Sequence, residues 1–384
     1  MSVSMLRPLG DVADFLSGFA WKAKQFSNDP IGMPIIRIQN VGADASTDFK
    51  YWPESYADRF VISRGDLLLT LSGSFRTVVW TGPNALLNQR IVKVSAHADT
   101  DTRWLFYALE EAMARIASMG RHALVSNVAL SDLKELQINV PPLEEQKRIA
   151  GILDQADALR RLRSRALDKL NTLGQSIFHE MFGDPVSNSK GFEVTSLSSV
   201  ATFRSGATPA KSNADFWGGE TPWVTPKDMK VTWINGAKDN ISDKALSEGN
   251  MKLVAAGTPL IVVRGMILAH TVPLALTSVN CTINQDMKAI DFDRRIIPTF
   301  GLFNLKCQHD SLLSRVSTAA HGTKRFDMAE LGRVQILLPD LAKQKAFVDA
   351  INQAESITRN AKVGLQKQDA LFASLQHRAF RGEL

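Results

Sequence analysis

The stretch INVPPLEEQK at residues 138–147 returns, in related form, as ILLPDLAKQK at residues 336–345. The matching residues lie 198 positions apart, and the same offset holds without a gap to the end of the chain, for example between His179 and His377. A constant offset over such a length indicates that the second half of the chain repeats the first.

The beginning of each half repeats at shorter offsets that drift along the chain. Gly18 corresponds to Gly206 at an offset of 188, and Asn88-Gln89 corresponds to Asn284-Gln285 at an offset of 196. Small insertions in surface loops produce such a drift. The sequence therefore predicts two copies of one architecture, each a variable globular domain followed by a regular segment.

The regular segments are predicted to be long helices. Between Leu143 and Phe182, apolar residues recur at alternating spacings of three and four, which is typical of a coiled coil. A helix of these forty residues spans about 60 Å. Two such helices predict an antiparallel pair that buries its apolar seams, and the alternative is two unrelated helices, each packed on its own domain. The predicted seam residues are Ile149, Ile152, Ala156, Leu159, Ala166, Leu170, Leu173 and Ile177, then Phe347, Ala350, Ala354, Ile357, Ala361, Leu371 and Leu375.

The fold class predicted from these patterns is α/β (mixed α+β) with a pseudo-twofold internal repeat. Residues 1–141 and 184–339 are predicted to form two mixed α/β domains, separated by two long antiparallel coiled-coil helices at residues 142–183 and 340–384. Loops rich in Gly, Ser, Asn and Thr connect short strands, and recognition residues usually lie in such loops. The candidate strands are Pro34–Ile38, Asp66–Leu71, Arg90–Val94, Gln137–Val140, Leu260–Val263 and Val334–Leu338, and a helix is predicted from Trp104 to Met119.

The composition is that of a globular protein. The 384 residues are 45% apolar and 22% charged, which is enough chain for two or three domains. Two cysteines cannot form a disulfide framework, and the sequence shows neither a leader pattern nor an apolar run of membrane-spanning length, so we expect a cytoplasmic protein. The net charge of +6 weakly favours a polyanionic partner such as nucleic acid.

The sequence shows none of the common catalytic motifs: no phosphate-binding loop, no dinucleotide fingerprint and no His-Glu-x-x-His. Glu145-Gln146-Lys147 has the local spacing of a nuclease motif, but it begins a helix and its repeat partner lacks the carboxylate. The pattern favours a binding protein without catalytic residues or a metal site. The alternative is an enzyme whose active site is unrecognised.

The string PPLEEQKRI at residues 141–149 runs into a coiled-coil helix and returns in degenerate form after a second variable domain. In this the whole chain resembles the specificity subunit of type I restriction-modification systems. The resemblance implies two target recognition domains that read the halves of a bipartite double-stranded DNA target, and no catalysis in this chain. It also implies two methyltransferase (modification) subunits that methylate adenine N6, and restriction/translocase subunits. S-adenosylmethionine, ATP and Mg would be bound by those partners, so we expect no cofactor in this chain. The alternative is the specificity module of a related restriction or DNA-modification enzyme in a different complex.

Side chains that read bases must reach the major groove, where Arg pairs with guanine and Asn or Gln with adenine. A lone surface Arg or Lys is more often simply solvated, and the Asn-Gln pairs could equally form a structural turn. The candidate DNA-binding residues are Lys22, Lys24, Arg37, Asn40, Ser74, Arg76, Gln89 and Arg121 in the first domain, and Lys211, Lys227, Arg264, Gln285, Lys324 and Arg325 in the second. The resemblance places the binding of partner subunits at Leu143, Gln146, Ile149, Leu341, Gln344 and Phe347.

Overall fold

A computed structural model describes residues 5–42, 47–70, 76–118, 129–319 and 322–384. The contacts divide the chain into two compact units. Unit 1 consists of residues 1–164 together with 363–384, and unit 2 consists of residues 165–362. The boundaries fall within the two long helices, so each of these helices contributes one part to each unit.

The described part of unit 1 consists of short strands and two helices: β1 (Met5–Pro8), β2 (Ala13–Ser17), β3 (Met33–Ile36), β4 (Lys50–Trp52), β5 (Val61–Ile62), β6 (Leu67–Thr70), β7 (Thr77–Val79), β8 (Ala85–Leu87), β9 (Ile91–Ala96), α1 (Thr102–Ser118), α2 (Leu130–Glu135) and β10 (Gln137–Val140). One sheet has the order β2-β9-β6-β7 and is antiparallel. The other has the order β4-β3-β8-β5, in which β3 and β8 are parallel. Strands β1 and β10 pair separately.

The long helices are α3 (Leu143–Phe182) and α9 (Leu341–Arg381). Pro141-Pro142 precedes α3, whose first turn carries Glu144 and Glu145. Before α9, Asp340 accepts a hydrogen bond from the Lys343 N–H at 2.9 Å. A carboxylate at a helix start accepts hydrogen bonds from free backbone N–H groups and interacts favourably with the positive end of the helix dipole. This explains why both helices begin where the sequence predicts.

Unit 2 repeats the plan of unit 1. Its elements are β11 (Val194–Ser196), α4 (Leu197–Val200), β12 (Ala201–Ser205), β13 (Trp217–Val224), β14 (Trp233–Ile234), β15 (Asp239–Ile241), α5 (Asp243–Glu248), β16 (Pro259–Val262), β17 (Leu274–Thr277), β18 (Thr282–Ile283), β19 (Met287–Phe292), α6 (Pro298–Lys306), α7 (His309–Ser314), β20 (Val316–Thr318), β21 (Lys324–Phe326), α8 (Met328–Gly332) and β22 (Gln335–Leu337). One sheet has the order β12-β19-β16-β17-β14 and another the order β15-β13-β18, with β13 and β18 parallel. The pairs β2–β9 and β12–β19 correspond, as do β1–β10 and β11–β22, which confirms the predicted repeat.

The predicted strands are confirmed with bounds shifted by a few residues, and the predicted helix is α1. Leu71 and Met119, the predicted last residues of one strand and of α1, lie outside the described residues. None of the described helices is long and apolar enough to cross a membrane.

The two long helices run antiparallel, as predicted. In unit 1, Arg160 Nε donates to Asp369 Oδ1 at 2.7 Å, and Arg148 Nη2 donates to the carbonyl of Leu384 at 2.8 Å. In unit 2, the rings of Phe178 and Phe347 are 5.5 Å apart. Within unit 1, residue numbers along α9 therefore rise as those along the contacting part of α3 fall.

The predicted seam is wrong at several positions. Leu159, Ile357 and Leu371 are 56%, 57% and 56% exposed, and Ala166 is also exposed. The buried stripe instead includes residues that the heptad pattern omits, such as Leu153, Leu167, Phe178 and Phe372. Each end of a long helix packs against its own domain as well as against the other helix. The buried face of the helix is therefore set by both neighbours and is wider than a heptad seam.

A charged network joins α1 to α3 in unit 1. Arg103 Nε donates to Asp154 Oδ1 at 3.1 Å, and the Tyr107 hydroxyl donates to the same oxygen at 2.7 Å. Burial, and then the nearby Asp157 carboxylate, raise the pKa of Glu110 on the next turn of α1 to about 7. This end of α3 is therefore fixed to the domain by polar as well as apolar contacts.

Candidate nucleic-acid interface

In each unit a pair of parallel strands brings candidate residues to one end of a sheet. In unit 1, Ile36 of β3 lies opposite Leu87 of β8, so Arg37 and the Asn88-Gln89 turn follow at the same end. In unit 2, Val224 of β13 lies opposite Ile283 of β18, which places Thr225 beside the Asn284-Gln285 turn. Both units therefore present the equivalent turn next to the end of a parallel partner strand.

Around the end of β3, the structure brings together Arg37, Asn40 and Arg76. Asn40 is only 1% exposed; its Oδ1 accepts from the Arg37 N–H at 2.9 Å and its Nδ2 donates to the Asp48 carbonyl at 3.2 Å. The exposed Arg76 donates from Nη1 to the Val41 carbonyl at 3.0 Å. The Asn40 amide is therefore buried and holds the turn that positions the two arginines, and its contact with DNA stays a prediction.

Lys22 and Lys24 are both exposed, on a short turn that follows an aromatic cluster. The Trp21 ring lies 4.8 Å from Phe19 and 5.0 Å from Trp52. The Phe19 backbone is hydrogen-bonded to that of Gln89, so the lysine turn lies next to the Asn-Gln turn. Phe19 is 48% exposed and was not among the predicted surface residues; its position directly after Gly18, which repeats as Gly206, is the signal in the sequence that marks it.

In unit 2, Arg264, Lys324 and Arg325 come together at the end of β16. The Gly265 N–H donates to the Lys324 carbonyl at 3.0 Å, and the backbones of Arg264 and Arg325 pair in an isolated antiparallel β-bridge. The Arg264 N–H donates to the Asp286 carbonyl at 3.2 Å, which brings the Asn284-Gln285 turn to the same place. The side chains of Arg264 and Arg325 are exposed and that of Lys324 is half-buried, so the three residues form one basic surface, whose contact with DNA stays a prediction.

The Asn-Gln turn of unit 2 is partly structural. Asn284 is 8% exposed, and its Oδ1 accepts from the Asp286 N–H at 2.7 Å. Gln285 is exposed and accepts a hydrogen bond from the Thr208 hydroxyl, three residues before the exposed Lys211. Lys227 is also exposed, on the turn that follows β13. The asparagine thus shapes the turn, while the glutamine side chain stays available at the surface.

Gln146 and Gln344 perform the same internal task in the two units. Oε1 of Gln146 accepts from the Asp101 N–H at 2.8 Å, and its Nε2 donates to the carbonyls of Asp99 at 3.2 Å and Pro141 at 2.9 Å. These contacts tie the first turn of the long helix to the segment that leads into α1.

In unit 2, Oε1 of Gln344 accepts from the Ile297 N–H at 2.8 Å, and its Nε2 donates to the carbonyls of Arg295 and Pro339, both at 2.9 Å. Gln146 is 1% exposed and Gln344 0%, and Ile149 and Phe347 are buried in the apolar cores. The chain's own fold thus occupies these four side chains, and their predicted partner-binding role stays untested. Leu143, which is half-buried, and Leu341, which is exposed, stay predictions.

Other apolar side chains of the helix pair are exposed instead. In unit 1, Leu159, Leu162 and Leu371 are 56%, 60% and 56% exposed. Leu159 directly precedes Arg160, and Leu371 directly precedes Phe372, the ring over which the Arg160 guanidinium lies at 4.3 Å. Arg160 and Phe372 face each other across the antiparallel helix pair. Because Leu159 and Leu371 each lie one residue before them, both leucines point to the same side of the pair. This surface was not predicted, because Leu159 and Leu371 fit the heptad spacing of the predicted seam.

Two predicted residues, Ser74 and Arg121, lie outside the described residues. Among the residues that the structure describes, no group of three or more His, Cys, Asp or Glu side chains is placed to hold a metal ion. The free thiols of Cys281 and Cys307 lie within unit 2, and burial raises the pKa of Cys307 to about 12. Neither thiol is at the basic surface.

The chain thus contains two domains of related fold, and each carries a candidate nucleic-acid-binding surface at the end of a parallel strand pair. A sequence profile described as the type I restriction modification DNA specificity domain matches residues 2–172 and again residues 189–368. The chain belongs to this family and contains its domain twice.

Similar proteins agree with this assignment. The chain is 27% identical over 216 residues to the EcoR124I/EcoR124II specificity subunit of Escherichia coli, covering 53% of this chain and 54% of that protein. It is 31% identical over 148 residues to the Escherichia coli EcoBI specificity subunit, covering 38% of this chain and 31% of that protein. The matches thus span about half of the first relative and about a third of the second.

Solved structures share the fold. The S subunit of a type I restriction-modification system from M. genitalium has a TM-score of 0.56 at 15% identity, covering 99% of this chain and 96% of that one. A chain from a structure of the type I R-M system has a TM-score of 0.61 at 18% identity, covering 100% and 98%. At these identities the likeness concerns the fold alone.

Proposed function

We propose that this chain is the non-catalytic sequence-specificity subunit of a type I restriction-modification complex and recognises a bipartite DNA target. The observation that carries the proposal is the repeated specificity domain, whose two copies bring equivalent loops to one end of a parallel strand pair. Two different reading surfaces on one chain suit a target with two different halves. Linking them makes the second binding event intramolecular, which multiplies specificity.

Each half-site would be read by the polar side chains at the surface of one unit, all of them exposed except Arg37 and Lys324, which are half-buried. In unit 1 these are Lys22, Lys24, Arg37, Arg76 and Gln89. In unit 2 they are Lys211, Lys227, Arg264, Gln285, Lys324 and Arg325. The arginines are suited to guanine and the glutamines to adenine in the major groove, whereas the lysines are suited to phosphates. Exposed Phe19 would add apolar contact beside the lysine turn.

The partner subunits would supply the chemistry. Two methyltransferase subunits would bind S-adenosylmethionine, and restriction/translocase subunits would use ATP and Mg. In this proposal the exposed leucines Leu159, Leu162 and Leu371, with Leu143 and Leu341, provide apolar contact for these partners, since apolar groups exposed close together favour protein association. Because the target is the cell's own DNA, we place the complex in the cytoplasm.

The test is the methylation pattern made by the full chain together with its methyltransferase subunits. Single-molecule sequencing of the methylated DNA gives both half-sites at once. Arg264→Ala should relax or weaken one half-site by about 1–3 kcal/mol, which is roughly 5- to 150-fold, and leave the other half unchanged. The control is Arg333→Ala, whose exposed side chain forms an ion pair with Glu330 outside the basic surface. A continuous target, or methyl transfer by the chain alone, would contradict the proposal.

Partner contact is tested separately by co-purification of the methyltransferase subunits. Leu159→Glu should reduce their retention because it places a charge in the apolar contact. Ser164→Glu is the matched control, since this exposed residue lies five positions further and about 140° round the helix. Equal retention of the partners by both variants would exclude this surface. The second candidate function, a specificity module in a different complex, would be favoured if the chain retained other subunits.

A further inference from the structure

The two units can be compared residue by residue where α1 and α6 meet the long helices. The Asp101 N–H bonds to Gln146 and the Ile297 N–H to Gln344, so these helices correspond at an offset of 196. At that offset Glu110 of α1 corresponds to Lys306 of α6. The charge at this half-buried position is therefore inverted between the units.

In unit 1 large side chains occupy the space around this position. The Phe372 ring lies 6.0 Å from Tyr107, and the Arg160 guanidinium covers Phe372 at 4.3 Å. The long helices correspond at an offset of 198, so Phe372 is matched in unit 2 by Gly174, and Arg160 by Thr358. A phenyl ring and a guanidinium are thus replaced by a hydrogen atom and a small hydroxyl side chain. The Phe303 ring takes up part of the space, since a Cβ on Gly174 would lie 2.5 Å from its Cε1.

A cavity of about 530 Å³ lies at this place in unit 2, lined by Gly174, Thr358 and Lys306 among others. Its walls include the rings of Trp233 and Phe303, 6.4 Å apart. Lys230 and Val231 line it and are exposed, so the cavity opens to the surface there. A neighbouring cavity of about 360 Å³ shares Lys306.

The charge inside the cavity is positive. Lys230, Lys306 and Lys362 line it, and Glu355 is the one acid among its described lining residues. The Lys306 ammonium donates to the Thr232 hydroxyl at 2.8 Å, and burial lowers its pKa. An ammonium has three donors, so this group retains the capacity to bind an acceptor that enters the cavity.

We propose that this cavity binds a small organic anion, with a carboxylate or phosphate on Lys306 and an aromatic or apolar body packed against the wall that Trp233 and Phe303 form. The volume is within the range of small-molecule sites, and the combination of apolar walls with a few convergent polar groups is typical of them. A bound anion would supply a negative counter-charge to Lys306, just as nearby arginines supply a positive one to Glu110 in unit 1. The site is separate from the basic DNA-reading loops and does not depend on the proposed function.

The test uses the full chain with phenyl phosphate and benzoate as probes, in buffers matched in ionic strength with chloride. Tryptophan fluorescence should change in a saturable way, and the thermal unfolding temperature should rise, for at least one probe. Inorganic phosphate should bind more weakly because it lacks the ring. Lys306→Met should weaken binding about tenfold or more, since it removes a charge-assisted hydrogen bond.

Lys252→Met, at an exposed lysine of unit 2 outside the cavity and outside the basic surface, is the matched control and should bind the probes as the wild type does. If Lys306→Met does not fold, Lys230→Met at the exposed mouth replaces it and should also weaken binding. Equal responses of wild type and both cavity variants, or a response that chloride reproduces, would overturn the proposal and leave the cavity as a water-filled groove.

Discussion

The buried amide of Gln344 offers the sharpest test of how the fold holds the start of a long helix. Gln344→Leu keeps a similar volume but removes one acceptor and two donated hydrogen bonds, leaving the Ile297 N–H and the carbonyls of Arg295 and Pro339 without their partner. A buried polar group left unsatisfied costs about 1–3 kcal/mol. Partial relaxation and water entry reduce the sum, so we expect a loss of about 3 kcal/mol in the free energy of unfolding of unit 2.

The assay is urea denaturation followed by tryptophan fluorescence, combined with native-state hydrogen exchange. The Ile297 amide should exchange at least tenfold faster in Gln344→Leu than in the wild type, because its acceptor is gone. Gln353→Ala, an exposed glutamine on the same helix, is the control and should change stability by less than about 0.5 kcal/mol. A Gln344→Leu protein as stable as this control, with unchanged exchange at Ile297, would refute the reasoning.

Three further predictions concern the pH dependence, a turn and the helices. Burial raises the pKa of Glu110 from 4.5 to about 7, so its contribution to stability is present below pH 4.5 and is lost as the pH rises through 7. Glu110→Gln should therefore exceed the wild type by about 1–2 kcal/mol in urea denaturation at about pH 8 and match it at about pH 4. A Cβ on Gly206 would lie 2.0 Å from the Ile283 carbonyl oxygen, so Gly206→Ala should lower the melting temperature by several degrees, whereas Gly236→Ala, which meets nothing within 4 Å, should leave it within about a degree. Deleting seven residues from each long helix should shorten the permitted DNA spacer while both half-site sequences persist, and an altered half-site in the methylation pattern would exclude this.

The sequence predicted the periodic features of the molecule well. The repeat, the start of each long helix and the antiparallel pairing follow from patterns that recur over tens of residues, and the structure confirms them. The family resemblance rested on the same repeated string, and the repeated specificity domain bears it out. Such patterns are readable because many residues carry the same signal.

Individual side-chain roles were predicted less well. Asn40 and Gln146 are polar residues that a sequence places at the surface, yet both are buried and hydrogen-bonded within the fold. Leu159 and Leu371 fit a heptad pattern but are exposed. Which side chains of a helix or turn are buried depends on all the segments that pack against it. The residue spacing within one segment does not contain that information.

By itself, then, the amino-acid sequence determined that two equivalent domains and two long helices exist, because local periodicity and long-range self-similarity are properties of the chain. Only the tertiary structure decided that Arg264, Lys324 and Arg325 form one surface and that the equivalent positions of Glu110 and Lys306 carry opposite charges in different surroundings. Both facts arise from packing between segments distant in sequence, where burial and close approach, rather than residue type, set what a side chain contacts.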